Sequence, residues 1–472
     1  MENRPLPVNR MSLELESEEP EEPQALEGQY TVAALNYNSK RVPGAPFDEA
    51  TDGKLGSVYT MVTELLLSRG DWSRRNAVRN KASGVLKLPS SYSLLLGTAQ
   101  GKGIQWGRLG YGMWPPPLVN YCRGFEMLTR KGRLIATLDS AQSATMNDWP
   151  WEMPAELKRP ECARGGVWEL APAAFVFHPS KGESNPYEQL EAAYDAASAA
   201  APLDNAWILK PSDGCKGDRI RILSKLAEIR DFLRSEEERH AAGEPVSSWV
   251  VQRYIHNPLL LEQGQRKFDM RCWVVVDADF NIKLYRHGVL RTSAVAYDAS
   301  DLSNRFSHLT NHCIAAEHEE YGRFEATNEL FYPAFDRELG RRFPEQAAAA
   351  GGSVLEGVVL PQVRRTVVQT LLAARETLEN NGDYYRPFQL FGYDFLVDAE
   401  LRVHLCEINA SPAVADELLP GFCRALVREC VDPICAPSPA FVDMAAYESA
   451  ALDAHTRGER FELLFKNVKA VA

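Results

Sequence analysis

At 472 residues, with 45% hydrophobic and 25% charged side chains, the chain has an ordinary globular composition and the length for roughly two to four domains. Its net charge of −12 argues against general nucleic-acid binding. The nine cysteines show neither CxxC nor Cys/His zinc spacing, and there is neither a secretory segment nor an apolar run that could span a bilayer, which predicts a soluble cytoplasmic protein.

Residues 12–27 (SLELESEEPEEPQALE) are acidic, broken by proline and poor in large apolar groups, which predicts a disordered tail. YTVAALNY (30–37) reads as a strand and, after a Gly/Pro/Asp-rich loop at 43–56, SVYTMVTELLLSRG (57–70) as an amphipathic helix stopped by glycine. Residues 51–134 carry 13 Lys/Arg against 4 Asp/Glu, a local net of 13 − 4 = +9. That region either faces an acidic partner, through Arg74, Arg75, Arg79 and Lys81, or is simply a solvated face. Three prolines, 115–117, precede a helical pattern at LVNYCRGFEMLTRKGRLIATL, and the weakly periodic interval 147–206 holds WPWEMP and a helix in YEQLEAAYDAASAAAP. From 207 onward the chain reads as strands and turns: WILK, SWVVQRYI, FDMRCWVVVD, NIKLYRHGVL, FQLFGYDFLV and LRVHLCEIN, with DADFN and VDAEL as hairpin turns. PQVRRTVVQTLLAARETL (361–378) supplies a long helix with Val363, Val367, Leu371 and Leu378 on one stripe. The second half is therefore expected to be α+β, mostly antiparallel sheet covered by helices.

Three stretches carry the chemistry. In FGYDFLVDAELRVHLCEINASP (391–412), a two-residue loop at Ala399-Glu400 would pair Asp394 with Leu405 and Gly392 with Glu407. Asp394, Glu407 and Asn409 then share a face, whereas a three-residue loop would flip that register. Two carboxylates and an amide oxygen form a hard oxygen site suited to Mg²⁺ with phosphates; the alternative is a merely solvated hairpin end. WILKPSDGCKGDRI (207–220) places Lys210 on a strand before a loop with Gly214, Lys216 and Gly217, where amides and lysines can meet phosphate, though it is not a P-loop. QRKFDMRCW (265–273) alternates Lys267, Asp269 and Arg271 on one strand face against Phe268, Met270 and Cys272 on the other. Lys267 could reach a phosphate and Arg271 a carboxylate, unless the row is a buried structural ion pair.

The succession WILKPSDGCKGD, VVQRYIHNPLLL, RKFDMRCWVVVD, LYRHGVLRTS, HLTNHC and FQLFGYDFLVD…LCEINASP resembles the tubulin tyrosine ligase-like family of ATP-grasp carboxylate–amine ligases. YTVAAL, SVYTMVTELLLSRGDW, WGRLG and LVNYCRG…LTRKG are similar to its tyrosine-adding members. The resemblance implies an acidic tail (1–28), a small basic α/β domain that binds tubulin (29–128), central and C-terminal ATP-grasp domains (129–255 and 256–435) and an extension (436–472). It places nucleotide contacts on Lys131, Lys210, Gln252, Arg253, Tyr254, Ile255 and Lys267, with Lys216, Gly217 and Asp269 beside them, and Thr310 and Asn311 near the phosphates. Magnesium falls on Asp394, Glu407 and Asn409, and Arg271 and Arg291 match arginines that hold the acceptor's carboxylates. The implied activity uses ATP and Mg²⁺ to convert the C-terminal carboxylate of detyrosinated α-tubulin to an acyl phosphate, which free tyrosine attacks. The implied enzyme acts as a monomer on the acidic tubulin tail, in the cytoplasm and on the cytoskeleton. The alternatives are a glutamate- or glycine-adding relative and a tubulin-binding pseudoenzyme. The chain departs from the pattern at Arg219, where the family has a second loop glycine, and at Arg253, where it has lysine. Ala410-Ser411-Pro412 follows the wider family rather than the tyrosine-adding members.

Overall fold

The computed structural model describes residues 30–35, 57–75, 78–79, 86–97, 104–143, 171–200, 205–214, 217–379 and 384–467. The acidic segment 12–27, the loop 43–56, WPWEMP, Lys81 and Lys216 lie outside the described residues, as does the side chain of Arg79.

The largest sheet is built on the strand Arg266–Val276, every residue of which is buried. One edge takes Val289–Ala296 along its first half and the hairpin partner Ile282–Tyr285 along its second. The other edge takes Gln389–Val397, which is paired in turn with Val403–Asn409, all antiparallel. A second antiparallel sheet runs in the order Ala174–Phe177, Trp249–Arg253, Trp207–Pro211 and Arg221–Leu223. A third is parallel throughout, in the order Arg386–Pro387, Leu118–Val119, Leu94–Leu96, Tyr30–Ala34 and Trp72–Arg75. Its edge strand Arg386–Pro387 comes from far along the chain, so the N-terminal sheet is completed by the segment just before the site hairpin.

The α+β reading of the second half holds, and its helix lies where the apolar stripe put it. Leu360–Ala373 buries Val363, Val367 and Leu371 against the large sheet, and Leu378 belongs to a short following helix, Arg375–Leu378. Each such side chain contributes about 1.5–3 kcal/mol by leaving water. Ser57 caps the helix Val58–Ser68, accepting from the Thr60 amide. Three expectations need correction. LVNYCRGFEMLTRKGRLIATL begins as the strand Leu118–Val119 and becomes helical only at Glu126–Thr129 and Lys131–Ser143. NIKLYRHGVL is two strands, broken at residues 286–288 so that both can pair along one edge of Arg266–Val276. A strand, Ala174–Phe177, occupies part of the interval without clear periodicity.

Candidate active site: a cleft between two sheets

The hairpin at 391–409 reaches its expected face by an unexpected route. Its loop has three residues, not two: Val397 pairs with Val403, and Leu401 takes a left-handed φ of 63°. Asp398 holds the turn, its Oδ1 accepting from the amides of Glu400 (3.1 Å) and Arg402 (2.9 Å). With that loop alone, Asp394 would oppose Cys406, and Glu407 would face away. A β-bulge at Cys406 restores the face, because Phe395 pairs with Leu405 but Asp394 with Glu407 and Gly392 with Asn409. The pairings Asp394–Leu405 and Gly392–Glu407 are thus replaced, yet the three polar groups still converge. The Asn409 amide donates to Asp394 (3.2 Å) and Glu407 (3.3 Å).

On Arg266–Val276, Lys267 and Asp269 face the cleft while Phe268, Met270 and Cys272 enter the core, as period-two alternation requires. Arg271 sits behind the cleft wall, where its Nε and Nη2 both donate to Asp394, the latter at 2.9 Å. Arg291, on the neighbouring strand, bridges Asp269 (2.8 Å) and Asp394 (2.8 Å). Thr310 also donates to Asp269. Both arginines are therefore engaged by the chain's own carboxylates. A buried carboxylate without such partners would be costly, so this network stabilises the row of charge inside the sheet.

The opposite wall comes from the second sheet. Lys210 Nζ donates to Gln252 Oε1 (2.8 Å), and Lys131, at the start of its helix, donates to the Gly214 carbonyl (2.8 Å) and lies 3.3 Å from Glu407. Arg253, Tyr254, Ile255, Thr310, Asn311 and Gly217 complete the lining of a cleft of about 890 Å³, its open mouth included. Of the expected residues, Arg271 and Asn409 stand just behind this surface. Gly217 has φ 76°, and a Cβ there would lie 2.5 Å from Ile314 Cδ1, so the loop can approach its neighbour only as glycine. Arg219 also adopts a left-handed φ, 56°, where the family's glycine would be free of strain. Its guanidinium is anchored on Ser247 Oγ (2.9 Å), with its centre 5.7 Å from the Trp249 ring. Cys406 and His308 also line the cleft. Cys406 carries no sequence signal, since a two-residue loop would turn it away and the three-residue loop brings it opposite Asp394; His308 opens the HLTN motif.

The electrostatics suit an anionic ligand. Burial opposes charge on Glu407, but Lys131 and then Arg291 hold its carboxyl well below the usual range. Burial pushes Asp269 up, to about 6, against the pull of Arg291. Burial also lowers Lys210, and brings Lys267 down to about 7. Asp394 and Glu407 supply carboxylate oxygens of the kind a magnesium ion prefers, and Asn409, whose amide nitrogen faces them, would offer its oxygen on turning over, so the residues fit that ion; among the described residues no group of three His, Cys, Asp or Glu side chains does so by itself. Magnesium held there would neutralise phosphate charge. Lys131, Lys210 and Lys267 all line this cleft.

Two sheets clasping a lysine-lined cleft, with carboxylates on the facing wall, are the arrangement of an ATP-grasp-like domain. The chain belongs to the Tubulin-tyrosine ligase family, whose family model matches residues 119–443. It is similar to tubulin glycylase 3C of Tetrahymena thermophila, 31% identical over 238 residues, covering 48% of this chain and 21% of that protein. Tubulin glycylase 3D of the same organism is 31% identical over 234 residues, covering 49% and 21%. Tubulin monoglycylase TTLL3 of Danio rerio is 34% identical over 215 residues, covering 45% and 26%. The matched part thus spans about a quarter or less of these relatives' own length. Among the described residues, no helix is long and apolar enough to cross a membrane.

Proposed function

We propose that this chain is an ATP-dependent carboxylate–amine ligase acting on tubulin, and that the amine it adds is glycine. The observation that carries the reading is the convergence of Lys131, Lys210, Lys267, Asp394 and Glu407 on one cleft in a member of this family. Glycine, rather than the tyrosine suggested by the N-terminal segments, is supported by the relatives, which are named as glycylases. The acceptor is then a carboxylate of the acidic tubulin tail. Its oxygen attacks the γ-phosphorus of ATP, ADP departs, and an acyl phosphate forms. The glycine amine attacks the acyl carbon, losing a proton, and phosphate leaves. Lys210 and Lys267 would hold the phosphates while charge moves, and Arg291, at the cleft wall, would exchange a bond to its own carboxylates for the acceptor carboxylate. The basic surface around Arg74 and Arg75 would steer the acidic partner by long-range attraction. Purified protein with tubulin, Mg-ATP and each of labelled glycine, tyrosine and glutamate tests the reading. Glycine incorporation is expected; incorporation of tyrosine alone would overturn the choice of amine, and no ATP-dependent incorporation would overturn the ligase.

A further inference from the structure

Lys267 is fixed in the cleft by a hydrogen-bonded chain whose next members, Tyr254 and His308, line the same cleft. Its Nζ lies 2.8 Å from the Tyr254 hydroxyl, which lies 2.7 Å from His308 Nδ1, and His308 Nε2 lies 2.9 Å from the Asp301 carbonyl oxygen. Lys267, Tyr254 and His308 are all at least 96% buried. The direction of every bond follows from the far end. A carbonyl only accepts, so Nε2 carries the imidazole proton; Nδ1 of the neutral ring is then an acceptor, and the Tyr254 hydroxyl must donate to it. That leaves the hydroxyl's lone pairs for Lys267, the one member with protons to spare. Burial lowers the His308 pKa, and the Lys267 charge lowers it further, which keeps the ring neutral. A protonated His308 would donate from both nitrogens, turn the hydroxyl around and leave the lysine ammonium without its acceptor.

The surroundings reinforce this direction. The Tyr254 ring centre lies 4.3 Å from the Lys267 Nζ and that of Tyr297 5.8 Å, so the ammonium is also held by two aromatic faces. Tyr297 stands beside the Tyr254 hydroxyl and donates its own proton to the His256 carbonyl (3.0 Å). The charged groups facing Lys267 are Asp269 on its own strand and Lys210 across the cleft, with the Cys406 thiol alongside; those facing His308 are Lys267, Asp301 and Asp298. Without the hydroxyl, the carboxylate acting on the ammonium is that of Asp269, which would draw it off the position from which it reaches phosphate.

We infer that His308 and the Tyr254 hydroxyl are positioning residues, which together aim the Lys267 ammonium at the nucleotide phosphates. The assignment rests on the proposed ATP-dependent reading. It is tested by calorimetric titration of Mg-ATP into the wild-type chain, Tyr254→Phe, His308→Leu and the double variant. Tyr254→Phe removes one oxygen without changing shape, so it decides the matter even if His308→Leu does not fold. Each single variant is expected to bind Mg-ATP about tenfold more weakly, the loss of one charge-assisted hydrogen bond. The double variant should be no weaker than either single one, because either change cuts the same chain. The loss of affinity with rising pH should also set in at lower pH in the variants, since the ammonium has lost an acceptor. Wild-type affinity in Tyr254→Phe, or losses that multiply in the double variant, would overturn the chain's role while leaving the ligase intact. A wild-type protein that binds no ATP would overturn both.

Discussion

Two hairpins in the large sheet have the same turn and different consequences. At 277–281 and at 398–402 an aspartate opens a three-residue loop, its Oδ1 accepts two backbone amides, and the residue before the strand resumes is left-handed, Phe280 (φ 62°) in one and Leu401 (φ 63°) in the other. The first hairpin then pairs regularly, Val276 with Ile282 and Val274 with Leu284, and only extends the sheet toward Phe461–Phe465. The second contains the bulge at Cys406, which brings Glu407 round to Asp394 and gathers polar side chains on one face. Turn chemistry therefore sets where a hairpin forms, and a single extra residue in one strand sets whether its polar side chains meet.

That contrast can be broken most severely at the site itself. Glu407→Gln, which keeps shape but loses a negative oxygen, is expected to lower ATP-dependent ligation by at least about a hundredfold, with the thermal unfolding temperature little changed; single-turnover assay at saturating Mg-ATP measures it, and near-wild-type turnover would remove Glu407 from the metal site. Arg271→Ala acts on the buried partner of the same hairpin. Because it leaves the buried Asp394 carboxylate with only Arg291 and the Asn409 amide, denaturant titration should show a loss of about 1.5–3 kcal/mol. A loss below about 1 kcal/mol, with weaker acceptor binding instead, would return Arg271 to the role of acceptor clamp.

Exchanging the two turn aspartates sharpens the comparison directly. Asp277→Ala and Asp398→Ala should each cost about 1–2 kcal/mol of stability through lost bonds to backbone amides. Only the second should also weaken Mg-ATP binding, because only its strand carries the bulge; equal effects on ATP affinity would show that the turn does not set the site. The smallest effect concerns the strand both hairpins share. Lys267, at about 7, binds phosphate as the ammonium, so ATP affinity should fall as pH rises through about 7, by a few-fold from pH 7 to 8, at most tenfold per unit. An affinity flat across that range would mean another cation carries the phosphate.

Most strands of the second half, the alternation that sends Lys267 and Asp269 to the cleft and the stripe Val363–Val367–Leu371 were readable from the chain; the grouping of Asp394, Glu407 and Asn409 was reached from a register the structure replaces. They rest on periods of two and 3.6 and on turn residues within a few positions. The break within 281–290 and the strand Leu118–Val119 were not, because apolar runs of that length do not say which neighbour they pair with. Nor could spacing predict that Arg271 would be consumed by Asp394, 123 positions away, or that Asp301, His308, Tyr254 and Lys267 would form one chain. The three-residue loop would by itself have turned Glu407 away from Asp394, and the bulge that cancels it depends on packing against Gln389–Val397 and the strand behind it. By itself the sequence determined which groups this protein offers to a ligand, since backbone period and turn chemistry are local. Which of those groups meet in the cleft, and which are spent holding one another, only the tertiary structure decided, because a buried charge takes the partner that the fold, not the chain order, places within reach.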